Sequence, residues 1–137
     1  MEIVVKDRKK DRKEEKKEGV SFTSKGYKIL KHENNIKYIL IKETESLEDL
    51  AQQFNMGLWQ LYKYNDYDKD VEKVEEGQIL FLQPKRSKAK QDFHTVKDGE
   101  SIWQISQQYG IKIKKLCKRN DLRPSQKLKS GQKLELR

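Results

Sequence analysis

The fold is decided by a stretch that occurs twice, YILIKETESLEDLAQQFNMGLWQLYKYND over residues 38–66 and FHTVKDGESIWQISQQYGIKIKKLCKRND over residues 93–121. With an offset of 55 residues and no gap, nine positions are identical, and six further apolar or aromatic positions meet similar residues. After removal of one loop residue, Gly77 and Gln78 also fall on Gly131 and Gln132. Agreement of this length indicates two copies of one structural unit.

Each copy predicts a short strand, two helices and a closing strand. Ser46 and Ser101 precede the first helix as N-caps, and only Ser101 has the glutamine three residues later that completes a capping box. Asn55 and Gly110 tolerate left-handed backbone and predict where that helix ends. The fold class is therefore α+β, with two small βααβ modules in tandem. The predicted strands are 38–42, 79–82, 93–97 and 133–136, and the second helices end at Asn65 and Asn120.

The regions around the repeats complete the predicted domain organisation. Residues 1–25 form a charged tail in which 6–18 hold no apolar side chain, which favours disorder. Residues 26–83 are the first module, extended by an N-terminal β-hairpin strand whose turn is predicted at Asn34 and Asn35. Residues 84–92 read as a basic linker led by Pro84, and residues 93–137 are the second module.

Composition excludes several classes of protein. Of the 137 residues, 34% are hydrophobic and 39% are charged, and no window approaches the ~18 apolar residues of a membrane span. The single cysteine, Cys117, excludes an internal disulfide framework and a multi-cysteine zinc site. Residues 1–5 are too short for a signal-peptide core, so a cytoplasmic protein and a piece of a longer exported chain both stay open.

Charge is divided unevenly between the copies. The net charge is +9, yet residues 26–83 hold 7 Lys and Arg against 11 Asp and Glu, whereas residues 93–137 hold 11 against 4. A basic surface attracts polyanions in general. A polyanion- or nucleic-acid-associated protein using residues 6–18, 85–90 and 112–119 is therefore the rival hypothesis, although the absence of interleaved aromatic residues disfavours nucleic acid.

Read in order, these pieces resemble a known family. The second copy, with VKDGESI at 96–102 and GQKL at 131–134, resembles the lysin motif, LysM, and the two copies cover about residues 36–137. The phrase WQLYKYND at 59–66, the linker LQPKR at 82–86 and the hairpin are similar to the C-terminal LysM pair of Bacteroidetes-type cell-wall glucosaminidases. The resemblance implies a non-catalytic module that targets a wall hydrolase system to N-acetylglucosamine-containing glycans, peptidoglycan first and chitin second.

The resemblance also implies where the glycan binds. In LysM modules, backbone groups of the loop after the first strand and of the loop before the last strand hold the acetamido group. Thr44 stands where the family usually has glycine, so we expect a reshaped first loop and better binding by the second module. The implied positions are Asp98, Gly99, Glu100, Ser101, Ile102, Lys127 and Leu128 in the second module and Glu43, Thr44, Glu45, Ser46, Leu47, Lys73 and Val74 in the first.

The remaining candidate residues have competing interpretations. Trp103 is equally compatible with sugar stacking and with a plain surface role. Trp59, Tyr62, Tyr64 and Tyr67 are predicted to pack against the hairpin. His32 and His94 lack sequence partners for metal binding or general-base chemistry, and modules this small have no deep cleft for a catalytic carboxylate pair.

The sequence therefore predicts a non-enzyme. It implies no cofactor and a monomer in the cell envelope or outside the cell. Its predicted partners are a peptidoglycan or chitin-like glycan and a separate cell-wall hydrolase. An intracellular interaction module that kept the fold without the sugar site is a further alternative.

Overall fold

The structure is a computed structural model that describes residues 26–137. The predicted tail, residues 1–25, lies outside the described residues. The chain divides into two units between Pro84 and Lys85. Each unit combines two helices with short antiparallel strands, which confirms the predicted α+β tandem of βααβ modules. Within residues 26–137, no helix has the length and apolar character needed to cross a membrane.

Over residues 26–84, the described part of the first unit contains five strands and two helices. Strands β1, β2 and β5 form an antiparallel sheet in that order, with Leu30 opposite Tyr38 and Ile39 opposite Leu80. The predicted hairpin is present, and Asn35 adopts a φ of 65° in its turn. Strands β3 and β4 form a separate two-stranded ladder. The elements are β1 (Leu30–Lys31), β2 (Lys37–Leu40), β3 (Glu45–Ser46), α1 (Leu47–Gln53), α2 (Leu58–Tyr64), β4 (Lys73–Val74) and β5 (Ile79–Phe81).

The second unit repeats this plan without the hairpin and without a counterpart of the β3–β4 ladder. Strands β6 (Phe93–Thr95) and β7 (Lys133–Glu135) pair antiparallel, with His94 opposite Leu134. Helix α3 (Ile102–Tyr109) begins with the predicted capping box of Ser101 and Gln104, and Gly110 ends it with a φ of 69°. Helix α4 (Ile113–Asn120) follows. The observed strands are a residue or two shorter than predicted.

Each unit buries its own apolar core, made by the helix faces that the repeat predicts. A buried side chain of this size contributes about 1.5–3 kcal/mol through removal of apolar surface from water, so packing stabilises each module. The first core includes Leu47, Leu50 and Leu61, together with Ile39, Ile41, Val74 and Leu80. The second includes Ile102, Ile105 and Leu116, together with Val96, Ile111, Leu134 and Leu136.

An asparagine joins the second helix to the closing strand in both units. The Asn65 side chain donates to the carbonyls of Leu61 (2.9 Å) and Phe81 (3.0 Å) and accepts from the Phe81 N–H (2.7 Å). Asn120 makes the same three bonds, to Leu116 (2.9 Å) and Glu135 (2.9 and 2.7 Å). The sequence predicts these asparagines only as helix ends; the structure adds that they fix the helix to the sheet.

The segment interpreted as a linker packs onto the second unit, which begins at Lys85. The Lys85 side chain is buried, and its Nζ donates to Ser106 Oγ (2.9 Å) and Gln107 Oε1 (2.8 Å) on α3. Ala89 belongs to the second core, and its N–H donates to the Leu136 carbonyl (2.9 Å). Residues 85–89 therefore contribute to the second unit, because a buried lysine and a buried alanine dock them there.

Candidate functional site

In the second module, the loop after the first strand forms a tight turn. Gly99 has a φ of 84°, a conformation that side chains with a Cβ rarely adopt, and a Cβ placed there would meet nothing within 4 Å. The Lys97 N–H donates to Glu100 Oε1 (2.8 Å), and the Glu100 N–H donates to the Lys97 carbonyl (3.1 Å). Hydrogen bonds across the turn thus fix its shape while its tip faces open space.

A buried histidine anchors this turn to the rest of the module. His94 Nε2 lies 2.8 Å from Glu100 Oε1, and His94 Nδ1 lies 2.8 Å from the Tyr109 hydroxyl. A neutral imidazole satisfies both contacts when Nε2–H donates to the carboxylate and Nδ1 accepts from the phenol. The Glu100 carboxylate therefore binds the scaffold, and its contribution to the site is to fix the turn.

The pKa of Glu100 reflects these contacts. Burial acts to raise it, but the hydrogen bonds from the Lys97 N–H and from His94 outweigh burial and lower the pKa below its ordinary value of 4.5. A carboxyl group with a lowered folded-state pKa stabilises the fold above its unfolded pKa, and this stabilisation disappears as the pH falls through the folded value.

We therefore expect Glu100→Gln to lower the thermal stability of the second module at pH 6, with the difference from wild type shrinking toward pH 3. The unfolding midpoint can be followed through Trp103 fluorescence in a Trp59→Phe background, because each module contains one tryptophan. A difference that stays constant from pH 6 to pH 3 would contradict the ionic role of Glu100.

The second loop of this module is tied to the first strand. The Gly131 N–H donates to the Val96 carbonyl, and the Val96 N–H donates to the Gln132 carbonyl, both at 2.8 Å. Lys127 is exposed, whereas Leu128 is half-buried and packs against the core that contains Ile102. The core therefore links the two segments that the resemblance assigns to the glycan site.

In the first module, the corresponding segments are hydrogen-bonded to each other. Glu45 and Ser46 pair with Val74 and Lys73 as strands β3 and β4, and the Leu47 N–H donates to the Glu72 carbonyl at 2.9 Å. The equivalent residues of the second module, 100–101 and 127–128, lie outside any strand. The backbone of the first site is thus largely occupied by its own ladder.

Thr44 accounts for part of this difference. It lacks the positive φ of Gly99, its counterpart, which confirms the expected reshaping of the first loop. Its hydroxyl also donates to Glu75 Oε1 at 3.0 Å, which connects the first loop to the residue after β4. A glycine offers no such bond, so the turn around Gly99 stays open.

The first module anchors its loop glutamate with different partners. The Glu45 carboxylate accepts from the hydroxyl of Tyr27 and from Gln53 Nε2, the latter at 2.9 Å. Tyr27 comes from the extension before the hairpin, and burial together with Glu45 raises its pKa to about 12. Both modules therefore hold the same glutamate, but through residues that are not equivalent in the repeat.

The predicted site residues differ in how far their side chains are accessible. The side chains of Leu47, Val74 and Ile102 lie in the cores, so only their backbone can reach a ligand. Glu45 and Glu100 bind the scaffold, as described above. The exposed positions are Glu43, Thr44, Lys73, Asp98, Gly99, Ser101 and Lys127, with Ser46, Trp103 and Leu128 half-buried.

The aromatic residues of the first module only partly follow the prediction. Tyr62 and Tyr67 pack against the first core, and the Tyr62 hydroxyl donates to the Val71 carbonyl. The predicted packing of Trp59 is wrong, because 63% of its surface is exposed. Its indole instead covers Gly57, where a Cβ would approach Trp59 Nε1 to 2.7 Å.

Sequence reasoning missed the anchoring pair His94 and Tyr109. Their counterparts in the first copy are Ile39 and Phe54, so two apolar residues at packed positions are replaced together by two hydrogen-bonding residues. That joint replacement was the available signal. A polar residue at a buried strand position requires a partner, and the second change supplies it.

Comparison with known protein families matches residues 39–83 and 94–137 to the LysM domain. One relative is the "Probable peptidoglycan endopeptidase LytE" of Bacillus subtilis (strain 168), 30% identical over 106 residues, which are 72% of this chain and 31% of the relative. Another is the "Autolysin" of Enterococcus faecalis (strain ATCC 700802 / V583), 31% identical over 91 residues, which are 60% of this chain and 12% of the relative. The chain thus spans 31% and 12% of these relatives.

Two solved structures also resemble this chain. The Bacillus cereus spore cortex-lytic enzyme SleL has a TM-score of 0.34 at 25% identity, covering 74% of this chain and 22% of its own. The Bacillus megaterium QM B1551 enzyme SleL has a TM-score of 0.31 at 18% identity, with coverages of 72% and 21%.

Proposed function

Because the chain belongs to the LysM domain family, we propose that it binds N-acetylglucosamine-containing glycans through the loops of its two modules, with peptidoglycan as the first ligand and chitin as the second. The two curated relatives are named as a peptidoglycan endopeptidase and an autolysin, which supports a wall polymer as the ligand. In this proposal the chain is a non-catalytic monomer that directs a cell-wall hydrolase to its substrate in the envelope.

The open turn around Gly99 is the observation that carries this proposal. An acetamido group is a neutral donor and acceptor, and turn backbone matches it without requiring a charge. The turn is held before any ligand arrives, because Glu100 is fixed by His94 and by the Lys97 N–H. A site that is already ordered avoids part of the entropic cost of binding.

A difference in backbone pairing between the two modules supports a ranking of their sites. Strands β3 and β4 occupy backbone groups of the first site, whereas residues 100–101 and 127–128 are free of strand pairing. We propose that the second module binds the glycan more tightly. The first module then adds avidity on an insoluble polymer, since linking two weak sites raises the effective concentration of the second.

Replacing Gly99 with threonine introduces the residue that the first module has at the equivalent position, Thr44, and therefore tests this ranking. We expect a loss of about tenfold in affinity for short N-acetylglucosamine oligomers, because a β-branched residue at a φ of 84° costs about 1–2 kcal/mol and moves the turn. Gly77→Thr is the matched control, since Gly77 has a φ of 87° with equally open surroundings but lies in the first module.

The measurement is an NMR titration of the full chain with the oligomers at two salt concentrations. Amide shifts at residues 98–102 and 127–128 that saturate in the millimolar range and are nearly independent of salt support the proposal. No shift in either module at millimolar oligomer contradicts glycan binding and favours an interaction module. Equal affinities of the wild type and Gly99→Thr contradict the role of the turn.

A further inference from the structure

The second unit carries most of the positive charge of the described chain. Residues 85–137 contain 15 Lys and Arg against 5 Asp and Glu, whereas residues 26–84 contain 7 against 11. A neutral acetamide ligand does not require such an excess. The charge is therefore a feature that glycan binding through the turn leaves unexplained.

The fold brings Arg86 next to Lys112, although these two basic residues are far apart in the sequence. The Arg86 N–H donates to the Gly110 carbonyl, and the Lys112 N–H donates to the Arg86 carbonyl, both at 2.9 Å. Further along, Arg119 Nη2 donates to the Ser87 carbonyl at 2.9 Å. Arg86 and Ser87 therefore lie beside Lys112 and Arg119, so the exposed Arg86 adjoins the cations of α4.

This surface, which we term the cationic face, consists of residues 86–87 and 112–119. Lys112, Lys114, Lys115 and Lys118 are exposed and make no ion pair within residues 26–137. No acidic residue lies on α4. The loop that follows continues the charge with three exposed cations, Arg123, Lys127 and Lys129, and Lys127 is itself a candidate glycan residue.

We propose that the cationic face binds the free carboxylates of the peptide stems carried by peptidoglycan; this inference rests on the proposed function. The turn around Gly99 binds the neutral sugar, and the cationic face adds electrostatic attraction to a glycan strand that carries peptide stems. The ammonium groups of lysine are carried on flexible stems, so they suit several dispersed carboxylates better than one anionic group in a fixed position. The face carries no aromatic residue for stacking on nucleic-acid bases.

The test compares two full-chain variants with equal net charge. One replaces Lys112, Lys114, Lys115 and Lys118 with glutamine, and the control replaces the exposed Lys28, Lys31, Lys37 and Lys63 of the first unit in the same way. Each variant is sedimented with insoluble peptidoglycan, with peptidoglycan whose free carboxylates have been converted to neutral amides by carbodiimide and ammonia, and with chitin. Covalently attached phosphate polymers are first stripped from both peptidoglycans with hydrofluoric acid.

At 50 mM salt we expect the face variant to bind intact peptidoglycan about five- to tenfold more weakly than wild type, since each exposed charge contributes a modest, salt-screened attraction. The control should stay within about twofold. The difference should vanish at 300 mM salt, on amide-capped peptidoglycan and on chitin. Equal weakening of both variants, or a difference that persists on amide-capped peptidoglycan, overturns the inference.

Failure of this inference is distinct from failure of the proposed function. Both variants can retain chitin binding while the face variant binds intact peptidoglycan as well as wild type does. That result supports glycan binding by the loops and contradicts only the role of the cationic face. A salt-dependent component that is present before the hydrofluoric acid treatment and absent after it assigns the face to a phosphate polymer and overturns binding of the stems.

Discussion

Replacing Asn65 with alanine is expected to destabilise the first module by about 3 kcal/mol, and the equivalent Asn120→Ala to destabilise the second by about 1–2 kcal/mol. Asn65 is fully buried, so its removal leaves the N–H and carbonyl of Phe81 without their partner in the interior. A buried polar group that loses its hydrogen bond costs about 1–3 kcal/mol. Asn120 is only half-buried, so water can replace its bonds to Glu135.

The two substitutions form a matched pair, because Asn65 and Asn120 make the same bonds in the two copies. Urea unfolding reports each module separately when Trp103→Phe leaves Trp59 as the probe of the first module and Trp59→Phe leaves Trp103 for the second. Amide NMR spectra confirm that the other module stays folded. Equal losses in the two modules would show that burial does not determine the strength of this contact.

Features that depend on neighbouring residues were predictable from the sequence. The N-cap at Ser101 needs only Gln104 three residues later, and the hairpin turn needs only an asparagine that tolerates positive φ at Asn35. The repeat extended these local rules to a whole module, because a spacing found twice is much stronger than one found once. The reshaped first loop was also predictable, because the β-branched Thr44 resists the positive φ that Gly99 adopts at the equivalent position.

Features that depend on distant partners were not predictable. His94 becomes an anchor only because the fold brings Tyr109 and Glu100 to its two ring nitrogens. Trp59 lies on the helix that was expected to face the hairpin, yet its indole covers Gly57 and stays exposed. The loops that we propose to bind glycan could be named from the resemblance, but the strand pairing across the first site joins residues that are 27 and 29 positions apart.

The segment 84–92 shows how composition alone misleads. It begins with Pro84 and is rich in basic residues, which is typical of a linker, and it shows no periodic pattern of apolar residues. The structure buries Lys85 with Nζ bonded to Ser106 and Gln107, so its stem lies inside the unit while its cation has neutral acceptors. A lysine of this kind is indistinguishable in sequence from its exposed neighbours.

The docking of this segment has a large expected consequence at Ala89. Ala89→Glu is expected to destabilise the second module by about 3 kcal/mol, because a carboxylate cannot enter the core without an ionic partner. The segment must then detach, which breaks the bonds from the Ala89 N–H to Leu136 (2.9 Å) and from Arg137 Nη1 to the Ala89 carbonyl (3.1 Å). Lys90→Glu, one position further at an exposed site, should change stability by less than about 0.5 kcal/mol.

Urea unfolding of both variants, followed through Trp103 in the Trp59→Phe background, measures the difference directly. The two variants introduce the same side chain at adjacent positions, so they separate the effect of burial from the effect of added charge. If residues 85–92 were only a linker, both variants would unfold like wild type. A midpoint that falls for Ala89→Glu alone means that the second module extends back at least to Ala89, so any fragment starting at residue 93 would lack part of the core that supports the Gly99 turn.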